Sequence, residues 1–385
     1  MDTLDFLAKL VAFPTVSALS NRPLMAYVAD HLTASGFTCE MFEDATGAKA
    51  SLFATIGPES SKGIVLSAHV DVVPAKADEW DTDPYTFVQV DDRVFGRGTT
   101  DMKGFVACVL ALAGRIDEKK LQKPLHVALS YDEEIGCVGV RPMLDILAQR
   151  GLAAELCIVG EPTSMQIMCG HKGKVSARAT CGGIAGHSAS APHYLNAIHL
   201  ACDFVAALRA EQAQLANAGH FDREYDIPYT TLHAGKISGG TALNIVPELA
   251  TVDFEIRNVP MDNPEEILAR LEYHAQQIAR SACELPKGAG IDIEVLNAYP
   301  GLNIAPDASA VMLARQFIDT QATAKVSFGT EAGLFAAKLG MPTIVLGPGS
   351  MAQGHTSNEF IEISQLRECD RMLVKLQAYL ERPAN

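Results

Sequence analysis

The sequence predicts an α/β chain: a mostly parallel mixed sheet flanked by helices and interrupted by a smaller inserted α+β domain. Three observations carry this expectation. Apolar, strand-like runs at 51–56, 64–68, 125–131 and 156–160 alternate with helix-like stretches at 102–116 and 139–150, the rhythm that builds a parallel sheet. Past residue 173 the rhythm changes, and Val175, Ala177, Ala179 and Cys181 alternate with polar neighbours, as in a sheet with one solvated face. After Pro300 the first pattern returns. The expected division is 1–173 for the first part of the larger domain, 174–298 for the insert and 299–385 for the second part.

Taken in order, residues 2–12 place Leu4, Leu7, Leu10 and Val11 on one helical side, and Pro14 ends the run. Pro23 to Ser35 predicts a second helix closed by Gly36. Within the insert, Leu195, Ile198, Cys202, Val205 and Leu208 recur at helical spacing. Alternating strands follow near Thr231–Ile237 and at Val252, Phe254 and Ile256, then a helix at 264–282 and a strand with Ile291, Ile293 and Val295. The third segment predicts helices at 307–319, 331–339 and 364–381 and strands near 325–328 and 342–346.

A chain of 385 residues with 48% apolar residues can bury a large core. A formal charge of −15 argues against a nucleic-acid partner, which needs a basic surface. The nine cysteines, including Cys283, are scattered and form no C-x-x-C pair, so reduced structural thiols are expected. Met1-Asp2-Thr3-Leu4-Asp5 has no basic leader, and no apolar run reaches about 18 residues. Neither a signal peptide nor a membrane partner is expected, and the expected location is cytoplasmic.

The chemistry lies where the strand-like runs end. His69-Val70-Asp71 follows one run, Glu133-Glu134 another and Glu161 a third, while Asp101 follows Gly96-Arg97-Gly98 and His355 follows a Gly-Pro-Gly turn. In open α/β sheets, loops at the carboxyl ends of strands share one crevice. Two imidazoles and a surplus of carboxylates, with no thiol, suit Zn²⁺ or a similar divalent ion. Without cations, the converging carboxylates would repel and some would protonate. Asp71 is placed to hold the second ring nitrogen of His69. Glu133 and Glu134, adjacent at a strand end, point apart, so one can bind metal while the other handles protons. Asp101 alternatively caps a helix, and the glycines before it would let the backbone approach an ion. His171 stays open, and His31, His126, His193, His199, His220, His233 and His274 read as surface or half-buried groups.

S-A-H-V-D-V-V-P, G-R-G-T-T-D-M-K-G, Y-D-E-E-I-G, V-G-E-P-T and Q-G-H-T together resemble the M20 family of co-catalytic zinc hydrolases, over essentially the whole chain. The resemblance implies a zinc-peptidase-like fold, with the insert acting as lid and dimerisation domain of a homodimer. It implies two Zn²⁺ per chain, with Co²⁺ as substitute. Asp101 would bridge them, Glu134 and His355 completing one site and His69 and Glu161 the other. Glu133 would be the general base, Asp71 would orient His69, and His187 would reach the partner subunit's site to stabilise the oxyanion. Asn244 and Arg257 would hold the substrate. The implied reaction is amide hydrolysis of N2-acetyl-L-ornithine to acetate and L-ornithine, in arginine synthesis. For its ammonium, Glu331 is the candidate, with helix capping as the alternative. Succinyl-diaminopimelate, dipeptides and a non-catalytic metal-binding role stay open.

Overall fold

A computed structural model describes residues 1–59, 62–282, 289–320 and 322–383. The chain divides into two compact units, one of Met1–Gly170, Leu302–Lys325 and Thr330–Asn385, the other of His171–Gly301 and Val326–Gly329. Cys283 lies outside the described residues, and the other eight cysteines are free thiols. No described helix is long and apolar enough to cross a membrane.

The first unit is built on a mixed sheet of nine strands. Its centre is parallel: Leu125–Ser130, Gly63–His69, Ala154–Val159 and Thr343–Val345 lie side by side in that order. The flanks are not. Thr38–Glu43 and Ala50–Ile56 join antiparallel on one side, and Ile167–His171 pairs antiparallel with Thr343–Val345 on the other. The edge strand Thr38–Glu43 carries only one buried residue, so no apolar alternation announced it.

Gly63–His69 is followed in sequence by Leu125–Ser130 on one side and Ala154–Val159 on the other, so the strand order reverses there. Such a switch point opens a crevice at the carboxyl ends. The register brings those ends together: His69 pairs with Ser130, and Ser67 with Val159.

Behind the sheet, every residue of helix Gly104–Ala113 is buried, which fits its lack of any polar stripe. Phe6, Leu7 and Leu10 from the N-terminal helix Thr3–Val11 share one core with Leu366, Leu373 and Leu376 from the C-terminal helix Ile363–Leu380. The first and last segments are therefore packed as one body. The expected helix at 307–319 is shorter, Ser309–Ala314, and gives way to a turn.

The second unit is a four-stranded antiparallel sheet in the order Thr231–Gly239, Leu249–Asn258, Gly173–Gly182, Gly290–Tyr299. Along Gly173–Gly182 buried and half-buried residues alternate without a break. Its buried residues Val175, Ala177, Ala179 and Cys181 share a core with Leu200, Phe204 and Leu208 of helix Ala197–Ala218 and with Leu271 of helix Pro264–Ala282. The first of these helices outlasts its expected span by about three turns. Asn196 caps its start by accepting from the Ile198 and His199 amides, and Glu211 in its extension, almost fully buried, accepts from Arg270 at 2.7 Å.

Close packing at the sheet end is testable at Gly160. A Cβ there would lie 2.1 Å from a ring carbon of buried Phe105. Gly160→Ala is expected to cost about 1–3 kcal/mol, the usual range for overpacking, read as a lower urea midpoint of the metal-free protein. An unchanged midpoint would show that the ring yields freely.

Candidate metal centre

Most of the charged groups sit at or just beyond the ends of the sheet's strands. His69 is the last residue of its strand, and Glu133-Glu134 and Glu161 lie shortly beyond Ser130 and Val159. Asp101 sits in the loop before helix Gly104–Ala113 with non-helical dihedrals (φ −119°, ψ 91°); the N-cap position of that helix is Lys103 and no side chain caps it, so Asp101 is not its cap. Gly98 is left-handed at φ +83°, and a Cβ would stand 2.7 Å from Val72 Cγ1.

Asp101 is the centre of the cluster. Its Oδ1 is 3.0 Å from His69 Nε2, and its Oδ2 is 3.0 Å from His355 Nε2. Glu161 Oε1 stands 3.9 Å from the same nitrogen of His69, while Glu134 Oε2 stands 3.0 Å from that of His355. One carboxylate thus faces two imidazole–glutamate pairs, one with each oxygen. Glu133 is also near: His69, Glu133 and Glu161 each bring a donor atom within 4.8 Å of the others, as do His69, Asp101 and Glu134.

The electrostatics are those of an anionic pocket short of cations. Burial pushes the Glu133 carboxyl up to about 8, and raises Glu161 well above and Glu134 above their usual range. Burial would raise Asp101 too, but hydrogen bonds from His355 and His69 outweigh it and hold that carboxyl well below normal. The hydrogen bonds to Asp101 and then Glu134 push His355 up to about 10. For His69, burial opposes the charged ring, yet Asp101 and Asp71 raise it well above normal. Carboxylates outnumber imidazoles here, an excess that divalent cations would offset. The donors, imidazole and carboxylate, fit Zn²⁺ or a comparable ion. Cys137 Sγ donates to Glu133 Oε1 at 3.3 Å, and burial raises this thiol far from its ligating thiolate form.

Asp71 stands beside His69 as expected and makes further contacts. Its backbone carbonyl, at 2.9 Å, holds His69 Nδ1, while its carboxylate is 3.5 Å away. That carboxylate also accepts from the backbone amides of Glu133 at 3.1 Å and Glu134 at 3.3 Å, and from Ser17 Oγ at 2.8 Å. Lys49, also missed by sequence reading, grips Asp132 through both oxygens at 2.7 Å and bonds the Ser17 carbonyl. Neither residue lies in a motif; only folding brings them here.

Glu331 requires a correction. It is wholly buried, its Oε1 accepting from Ser67 Oγ at 2.6 Å and its Oε2 from Ser130 Oγ at 2.7 Å. It makes no side-chain cap to helix Ala332–Leu339; Thr330 Oγ1 takes the Ala332 amide instead. With both oxygens engaged by the strands that end in His69 and lead to Glu133, it ties the sheet together.

The remaining candidates belong to the second unit. A short antiparallel ribbon pairs His187 with Ile245, so His187 and Asn244 are neighbours, both exposed. His187 Nδ1 accepts from the Ala189 amide at 3.1 Å. Arg257 is half-buried and donates to Glu255 at 3.2 and 3.4 Å. His171 is fully buried, its ring Nδ1 2.9 Å from the Lys172 carbonyl, and burial lowers it to about 4. His126 is buried rather than half-exposed, because it lies mid-strand, stacked on Phe53 at 5.3 Å.

Residues 65–378 match the sequence model of peptidase family M20/M25/M40. An acetylornithine deacetylase from Pasteurella multocida is 32% identical over 382 residues, 97% of this chain and 96% of its own. One from Shigella sonnei is 30% identical, over 95% and 94% of the two chains. In fold, a tripeptidase from Staphylococcus aureus superposes with a TM-score of 0.79 at 20% identity, covering 99% of this chain and 98% of its own.

The placement of Glu331 yields a prediction. Glu331→Gln is expected to slow hydrolysis of N-acyl amino acids with charged and with uncharged side chains by the same factor, read from initial rates. A loss confined to those with a cationic side chain would make Glu331 an ammonium receptor.

Proposed function

This chain is a hydrolase of the M20 peptidase family, and from that premise we propose that it deacetylates N2-acetyl-L-ornithine, yielding acetate and L-ornithine as a step of arginine synthesis. The observation that supports the hydrolytic centre most strongly is Asp101, with one oxygen toward His69 and Glu161 and the other toward His355 and Glu134. The substrate rests on the two deacetylase relatives, similar along almost their whole lengths.

In this reading His69, Asp101, Glu134, Glu161 and His355 hold two divalent ions, Zn²⁺ or Co²⁺. The ions supply Lewis acidity toward water and the acyl carbonyl. Glu133 accepts the proton of the attacking water and returns it to the leaving amine, so the C–N bond breaks and a neutral amine departs. Asp71, through the Glu133 and Glu134 amides, fixes the base and its neighbour in one frame. His187 acts on the acyl oxygen of substrate bound in the partner subunit of a homodimer formed through the inserted domain, and Asn244 helps hold the substrate. Arg257, by releasing Glu255, meets the substrate carboxylate with its planar fork.

The substrate assignment is tested by initial rates on N2-acetyl-L-ornithine, N-succinyl-diaminopimelate and dipeptides, with Zn²⁺ or Co²⁺ added. The highest kcat/KM should fall on acetylornithine. A preference for either of the others would keep the family and replace the substrate.

The roles of Glu133 and His187 are tested together. Glu133→Ala should retain two ions per chain by elemental analysis while losing roughly 10²–10⁴-fold in turnover. Mixed with inactive His187→Ala chains, it should regain activity, because one site of each heterodimer recovers both groups. Loss of an ion would make Glu133 a ligand. No recovery after verified subunit exchange would rule out action across subunits.

A further inference from the structure

Glu359 is a buried carboxylate with no place in the chemistry above, yet it collects four N–H donors. Its Oε2 accepts from Arg97 Nη1 at 2.7 Å and the Gly98 amide at 2.9 Å. Its Oε1 accepts from the amides of Thr100 at 2.9 Å and Asp101 at 3.1 Å. It is 1% exposed. The loop it fills has irregular backbone, left-handed at Gly98 and non-helical at Asp101 and Met102, so these amides find no regular partner. A carboxylate at the focus of successive amides satisfies them all.

The same residue reaches the other half of the centre. Glu359 follows His355 by four positions. Its carbonyl accepts from the Gly96 amide at 3.0 Å, and the next carbonyl, Phe360, accepts from Thr100 Oγ1 at 2.6 Å. Strand Phe360–Glu362 then pairs with Arg93–Phe95, just ahead of the Asp101 loop. Main chain and side chain together therefore clamp the segment leaving His355 to the loop that delivers Asp101.

We propose that Glu359 is a positioning residue that sets the Asp101 carboxylate between its two imidazoles by gathering the Gly98, Thr100 and Asp101 amides and Arg97. The inference rests on the metal-centre reading and deepens it: Glu359 touches neither ion nor substrate and acts through Asp101. Sequence reading passed over it because a lone acid in Asn358-Glu359-Phe360 carries no spacing signal.

Glutamine tests this by chemistry, since it keeps one acceptor oxygen and turns N–H donors toward one of the two donor pairs. Zn²⁺ is titrated into metal-free protein against a chelator, and the visible spectrum is recorded with Co²⁺ bound. Glu359→Gln should bind Zn²⁺ about 10–100-fold more weakly, as loss of a ligand's supporting partner typically does. Its Co²⁺ spectrum should change while its circular dichroism stays that of the wild type. Wild-type affinity and spectrum in a folded Glu359→Gln overturns the proposal. If that variant does not fold, Glu359→Asp decides: it keeps both oxygens but withdraws them by one methylene. Weakened binding with an altered spectrum supports the proposal, and wild-type values overturn it. Failure of the wild type itself to bind ions would instead remove the metal-centre reading beneath it.

Discussion

Placing Asp71, Asp101, Glu133, Glu134 and Glu161 together in a buried space sets the terms for the rest of this structure. Like charges in a low-dielectric environment are costly, and a fold that gathers them must supply opposite charge or protons. Here the opposition comes from the His69 and His355 rings set against the two oxygens of Asp101. It comes also from a frame of fixed donors. Ser17 and the Glu133 and Glu134 amides serve Asp71, Lys49 serves Asp132, and Arg97 with three amides serves Glu359. The wholly apolar helix Gly104–Ala113 and the parallel sheet provide the stiff backing that such a frame needs.

The frame has two levels. Side chains that can meet an ion stand at strand ends, and the carboxylates beneath them hold backbone rather than ion. Asp71, Glu331 and Glu359 all work at the second level, through amides, serine hydroxyls or a guanidinium. A ligand constellation must be held closely to keep its geometry, and anchoring its backbone does this without adding another charge to the open site. The candidate ion ligands all belong to the first unit, whereas His187, Asn244 and Arg257 belong to the second.

Much of this was legible in the sequence, for definable reasons. Strand ends and acid or imidazole motifs coincide, and buried parallel strands read as apolar runs, so His69, Asp71, Asp101, the Glu133–Glu134 pair, Glu161 and His355 could be gathered from the sequence, while the choice of Glu134 as ligand came from the family resemblance. The alternation of Val175 to Cys181 likewise announced a half-solvated sheet. What escaped was set by contacts distant in sequence. Glu331 meets Ser67 and Ser130 across 264 and 201 positions, and Glu359 meets Arg97 across 262. No local period records such pairings. The Asp71 carboxylate and Glu331 also hold backbone or strand, through contacts that no motif announced.

Anomalous diffraction from crystals of the full chain grown with Zn²⁺ tests the central claim most directly. Two zinc peaks per chain are expected, one on either side of Asp101, each against a different oxygen of its carboxylate, with His69 at one and His355 at the other. A single peak, or peaks that leave one Asp101 oxygen free, would contradict the account.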